Sequence, residues 1–104
     1  MLQPWECQTV YITPRAWNEI KDLPGHMRQR IRQAIWVLAD DRRSSESREL
    51  NAPHLKRELR RLRLDRWRVV YAVTEDDCVV DVLAVRKRPP YDYGDLERLL
   101  EEMV

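Results

Sequence analysis

Arg61, Arg63, Arg68, Arg86 and Arg88 are the residues of this chain best placed to do chemistry. They stand in three runs, RELRRLRL, WRVVYAV and CVVDVLAVRKR, in which apolar residues recur at alternate positions. Successive side chains on a β-strand point to opposite faces, so a shared parity gathers the arginines on one sheet face and leaves the other apolar. A guanidinium is a permanent cation, with a pKa above about 12. It grips phosphate or carboxylate through paired N–H donors, so five of them on one face would hold a phosphate backbone without a metal. They would stabilise charge and would not readily shuttle protons. Tyr91 and Tyr93, just past the third run, carry phenols that can transfer a proton if neighbouring arginines lower their pKa, or stack on a base.

Further cations surround this set. Between residues 56 and 68, Lys56, Arg57, Arg60, Arg61, Arg63, Arg66 and Arg68 face only Glu58 and Asp65. Lys56, Arg57, Arg60, Arg63, Arg86 and Lys87 are the candidates for additional phosphate-backbone contacts. Each residue also has a plainer reading. Arg61 and Arg63 can be solvated strand residues paired with Glu58 or Asp65. Arg68 can serve a structural ion pair, and Arg88 can cap the sheet against a final helix. Tyr91 and Tyr93 can simply fasten that helix. His26 and His54 have no partner in the sequence that would suggest catalysis.

The register of the runs decides the faces. Trp67, Val69, Tyr71 and Val73 share a parity. With Asp65-Arg66 as a two-residue turn, Leu62 and Leu64 join them, and Arg61 and Arg63 join Arg68. With Thr74 paired to Cys78 across the acidic turn, Val79, Leu83 and Val85 join the Trp67 face, Asp81 sits among them as a misfit, and Arg86 and Arg88 join Arg68. A slip of one residue would move a whole strand's side chains to the other face.

The elements that must carry this sheet are legible in outline. Cys7 to Ile12 reads as a first strand. Thr13-Pro14 reads as a helix start, with Thr13 as N-cap and Pro14 at the first helical position, followed by Trp17, Ile20 and Leu23 at helical spacing. A second helix is expected from about Pro24 to Ala39, with Met27, Ile31, Ala34, Ile35 and Leu38 on one stripe. Residues 40–53 read as a polar connection anchored by Leu50. After Pro89-Pro90, Asp95 caps a short amphipathic helix with Leu96, Leu99, Leu100 and Met103. The expected order is β-α-α-β-β-β-α in a single domain over residues 1–104. This is an α+β layer in which a helical hairpin covers one face of a small, antiparallel-rich sheet.

Composition sets bounds. In 104 residues, 43% are hydrophobic, enough for a core, and 36% are charged. Because 19 basic residues offset 18 acidic ones, net charge argues nothing about partners and distribution must. Cys7 and Cys78, both on expected strands, lack CxxC or metal-ligand spacing and read as buried thiols in a reducing compartment, with a disulfide linking two strands as the alternative. No stretch has the length of a membrane-spanning helix and the N-terminus lacks a signal pattern, so the expectation is a cytoplasmic protein with no membrane partner.

The element order, the helix ending in LADDR, the run LRRLRLDRWRVVYAV and the strand-end VRKR followed by tyrosines resemble the RelE/ParE superfamily of bacterial type II toxins. The resemblance spans about Val10 to Leu100. It implies one of two activities. RelE-like members are endoribonucleases that cut mRNA in the ribosomal A site, whereas ParE-like members inhibit DNA gyrase. A third possibility is an inactive module that acts only with its antitoxin on operator DNA. Every version implies a cognate antitoxin. The RelE-like version implies ribosome and mRNA as partners, no cofactor, and a metal-free site. By that resemblance Arg61, Arg68, Arg88 and Tyr91 or Tyr93 are catalytic. A lysine of the family pattern corresponds to Leu59 here, which leaves the general base unassigned.

Overall fold

A computed structural model describes residues 9–50, 58–74 and 78–87. The elements are β1 (Thr9–Ile12), α1 (Pro14–Lys21), α2 (Gly25–Asp40), β2 (Ser47–Glu49), β3 (Glu58–Leu64), β4 (Trp67–Thr74) and β5 (Val79–Lys87). The strands form one sheet in the order β1-β5-β4-β3-β2. β1 runs parallel to β5, and the other neighbours are antiparallel. The expected α+β architecture is therefore observed, with one more strand than the sequence suggested. The helix expected over residues 95–103, and Cys7, lie outside the described residues.

The helices form where the punctuation predicts. Thr13 caps α1 from an extended backbone conformation, its hydroxyl accepting from the Ala16 N–H at 3.2 Å, with Pro14 at the start. α2 turns Met27, Ile31, Ile35 and Leu38 inward, and all are buried. They meet Ala16, Ile20 and Leu23 on one side and Leu62, Val69, Tyr71, Val73, Val80, Val82 and Val85 of the sheet on the other.

Beyond Ile12 the β1–β5 ladder ends, and Thr13 and Glu19 take over the open edge of β5. The Thr13 N–H donates to the Val82 carbonyl at 3.1 Å and its hydroxyl to the Leu83 carbonyl at 3.4 Å. Next along the edge, Glu19 Oε1 accepts from the Val85 N–H at 2.9 Å. A strand edge left open invites mispairing, and α1 supplies the groups that close this one. Thr13→Ala removes both the cap and the Leu83 contact. It should destabilise the chain by about 1–2 kcal/mol, and Thr13→Ser should recover most of that loss in urea titrations.

The register corrects two expectations. Asp65-Arg66 is the turn between β3 and β4, with Asp65 at φ 58°, a left-handed conformation that Asp tolerates. Across the next turn, however, Thr74 pairs with Val79 and not with Cys78, which precedes β5 and is half-buried. Val80 and Val82 therefore share the core face with Val73 and Tyr71, in place of Val79 and Leu83. Asp81 is no misfit in the core, because it lies opposite Ala72 on the other face. A bulge then restores the expected parity. Tyr71 pairs with Val82 and Val70 with Ala84, so Leu83 is the extra residue. Beyond it, Val85 rejoins the core and Arg86 falls opposite Arg68.

Candidate functional site: an arginine-ranked sheet face

The sheet face away from the helices gathers arginines from four strands. Arg63 on β3, Arg68 on β4 and Arg86 on β5 are direct cross-strand partners and form one row. Two residues back along β3, Arg61 faces Arg48 of β2. Directly opposed residues in antiparallel strands have Cα atoms about 4.5–5.5 Å apart, and like charges so placed repel. Cations ranked this way make this face the candidate site for an anion.

The bulge at Leu83 is what completes the row. Without the extra residue, the parity that buries Val80 and Val82 would carry Arg86 to the helix side. Bulges re-aim side chains in this way beside functional sites.

The row is held firmly at its centre. Arg68 is only 3% exposed. Its Nη1 donates to the carbonyls of Asp65 at 3.0 Å and Trp67 at 2.9 Å, tying the guanidinium to the β3–β4 turn. Arg86 lies 3.7 Å through Nε from Glu19 Oε2, the carboxylate that also closes the β5 edge. Arg63 and Arg48 are exposed and Arg61 is half-buried. The face is not all charge, because Leu59, Val70, Ala72 and Ala84 on it are buried. The expectation that nearly all apolar mass lies on the helix side is thus corrected.

Arg48 is a residue the sequence reading did not single out. Ser47-Arg48-Glu49 has no apolar alternation to mark it as a strand. Its only signal is the polar, charged character of a short edge strand.

Other sequence candidates lie elsewhere. Arg60 is on the helix face, opposite Tyr71. Its Nε donates to Ser47 Oγ at 3.0 Å and its Nη1 to Glu58 Oε2 at 3.1 Å. Lys87 pairs with Trp67, off the arginine row, and is exposed. Lys56, Arg57, Arg88, Tyr91 and Tyr93 fall outside the described residues. Leu59, where the family pattern has a lysine, is 1% exposed opposite Ala72 and offers no proton-transfer group. Tyr71 is also excluded from that role. Burial pushes its phenol up, and its hydroxyl donates to the Arg42 carbonyl at 2.7 Å.

Beside the face, Arg43 and Arg60 both bind Glu58, with Arg43 Nη2 at 2.7 Å. The hydrogen bond from Arg43 is the main cause that holds the Glu58 carboxyl below its ordinary 4.5, with Arg60 adding to it and burial opposing it. A lowered folded pKa stabilises above the unfolded value and is lost as pH falls through the folded one. The parent should therefore exceed Glu58→Gln in thermal stability at neutral pH. The gap should close as the pH drops below about 4.5, as scanning calorimetry across that range would record.

Helices layered on one face of a five-stranded mixed sheet, with β1 and β5 parallel, define the RelE toxin fold. The chain superposes on the toxin–antitoxin complex RelBE2 of Mycobacterium tuberculosis with a TM-score of 0.66, at 19% identity over 80% of this chain and 93% of that one. The archaeal RelE–RelB complex of Pyrococcus horikoshii gives 0.67, at 22% identity over 86% and 100%. The isolated RelE toxin of E. coli gives 0.66, at 17% identity over 92% and 98%. No curated protein matches the sequence. Residues 10–89 match the family described as the ParE toxin of type II toxin-antitoxin system, parDE. The chain belongs to this family and is a type II toxin of the RelE/ParE superfamily.

Among the described residues, no helix is long and apolar enough to cross a membrane. No group of three or more His, Cys, Asp or Glu side chains there is placed to hold a metal ion.

Proposed function

We propose that the chain is a RelE-like endoribonuclease that cleaves mRNA on the ribosome without a metal, and that a cognate antitoxin neutralises it. The observation that carries this reading is the row Arg63–Arg68–Arg86 with the adjoining Arg61–Arg48 pair. In the internal route, the 2′-hydroxyl attacks the adjacent phosphorus, the P–O5′ bond breaks, and a 2′,3′-cyclic phosphate forms. One proton leaves the 2′-oxygen and one arrives at the departing 5′-oxygen. The phosphorane between them carries extra negative charge, and fixed guanidiniums stabilise such charge without reorganising. Arg61, Arg63 and Arg86 are placed to meet it, while buried Arg68 holds the turn and adds its field. With Leu59 buried, proton transfer falls to groups past β5, for which Tyr91 and Tyr93 are the candidates and Arg88 the further cation.

The same face suits an acidic antitoxin segment, so antitoxin and RNA would compete for it. Contact with operator DNA would come only through that complex. A second reading, inhibition of DNA gyrase, is favoured by two specific observations: the family matched is that of ParE toxins, and Leu59 removes a family base.

Purified ribosomes programmed with a defined mRNA separate the readings. Cuts mapped to the A-site codon, and lost in Arg88→Ala, are the expected result. Intact mRNA beside an active control toxin, with gyrase supercoiling inhibited, would give the chain to the second reading.

A further inference from the structure

The outer surface of the helical hairpin holds a feature that the arginine face does not use. Between α1 and α2 runs an open groove of about 600 Å³. Two tryptophans flank it, Trp17 from α1 and Trp36 from α2, 40% and 60% exposed. Indoles are large apolar surfaces, and two left this open on one groove call for a ligand. Lys21, Arg28 and Arg32 also line the groove, and among the described residues no carboxylate does. On α2 the lining runs from Gly25 to Trp36, a stripe about 16 Å long at 1.5 Å rise per residue.

We propose that this groove binds single-stranded RNA, with bases stacked on Trp17 and Trp36 and phosphates on Lys21, Arg28 and Arg32. Aromatic platforms interleaved with cations are how proteins hold unpaired strands with little sequence preference. An amphipathic protein helix fits less well, since it needs a row of apolar anchor sites. Here, five of the nine lining residues are lysine, arginine or glutamine. The glutamines, Gln29 and Gln33, offer both a donor and an acceptor to a base edge. The choice of RNA over DNA rests on the ribonuclease reading, whereas the groove's geometry does not.

The test is anisotropy of labelled oligo(U) across a salt series, on the full chain and on a background in which Arg61→Ala and Arg63→Ala weaken the other face. In both backgrounds, Trp17→Ala with Trp36→Ala should weaken binding about tenfold or more and remove the tryptophan quenching that stacking causes. Arg28→Ala with Arg32→Ala should flatten the slope of log K against log salt by about 1.4, two phosphate contacts at about 0.7 each. All four side chains are exposed, so circular dichroism should match the parent. Binding within twofold of the parent in both groove variants would overturn the proposal. So would tighter binding of oligo(dT) than of oligo(U), or a groove that takes an acidic amphipathic peptide and not oligo(U). A chain that binds oligo(U) through the groove yet cuts no mRNA would overturn the ribonuclease reading alone.

Discussion

Arg61→Ala should lower ribosome-dependent mRNA cleavage by about 10²–10³-fold, the loss seen when one preorganised donor to a developing anion is removed. Arg61 is half-buried and faces Arg48 across the β2–β3 pair. Partial desolvation strengthens its field at a phosphate relative to a fully hydrated cation. Arg61→Lys keeps the charge but loses the two-pronged donor geometry, so it should recover only part of the rate. The loss should fall on kcat more than on ribosome affinity, since the interaction strengthens as the phosphorane forms. Single-turnover cleavage at saturating ribosome concentration reads this directly. A rate within threefold of the parent would remove Arg61 from the catalytic set.

The largest effect on stability is expected from Ile35→Ala. Ile35 is 0% exposed at the centre of the stripe that α2 lays on the sheet. Truncation there removes buried methyl and methylene groups and leaves a cavity, a loss of about 2–5 kcal/mol. Small domains hold only about 5–15 kcal/mol in all, and each kcal/mol moves Tm by about 4–8 °C at this size. The melting temperature should thus fall by roughly 10 °C or more. Trp36, one residue on and 60% exposed, is the control. Its replacement by alanine should stay within about 0.5 kcal/mol of the parent. Thermal melts of the two variants side by side would test whether burial or side-chain size governs the loss.

The helices were readable because their signals are local. Thr13-Pro14 marks a start, and Met27, Ile31, Ile35 and Leu38 keep helical spacing. The Asp65-Arg66 turn was readable too, since apolar alternation on both sides fixes the faces of Leu62, Leu64 and Trp67. Two things were not. β2 carries Ser47, Arg48 and Glu49 and gains its strand geometry only by pairing with β3, so nothing within those residues announces it, and Arg48 stayed unseen. The register of β5 depends on how many residues the acidic turn consumes and on a bulge at Leu83. Val79 to Val85 is apolar at nearly every position, and such a run gives no parity of its own. The two misreadings cancel beyond Leu83, which is why Arg86 was placed correctly beside Arg68 although Val80, Val82 and Asp81 were not. The site was therefore legible as a set of arginines, and its alignment across four strands needed tertiary pairing.

The partnership of β1 with β5 has a consequence in time. Thr9 to Ile12 pair with Val79 to Val82, and Thr13 reaches Leu83 across 70 positions of sequence. Contacts so distant close late and slow folding. At synthesis rates of about 5–20 residues per second, roughly 4 to 14 s separate the appearance of the two strands. Through that interval the nascent chain has neither its parallel pair nor the third arginine of its row, since Arg86 arrives with β5. A prematurely released fragment lacks them permanently. The arginine row is thus complete only once β5 has been made, and synthesis aborted before it yields chains without the assembled face.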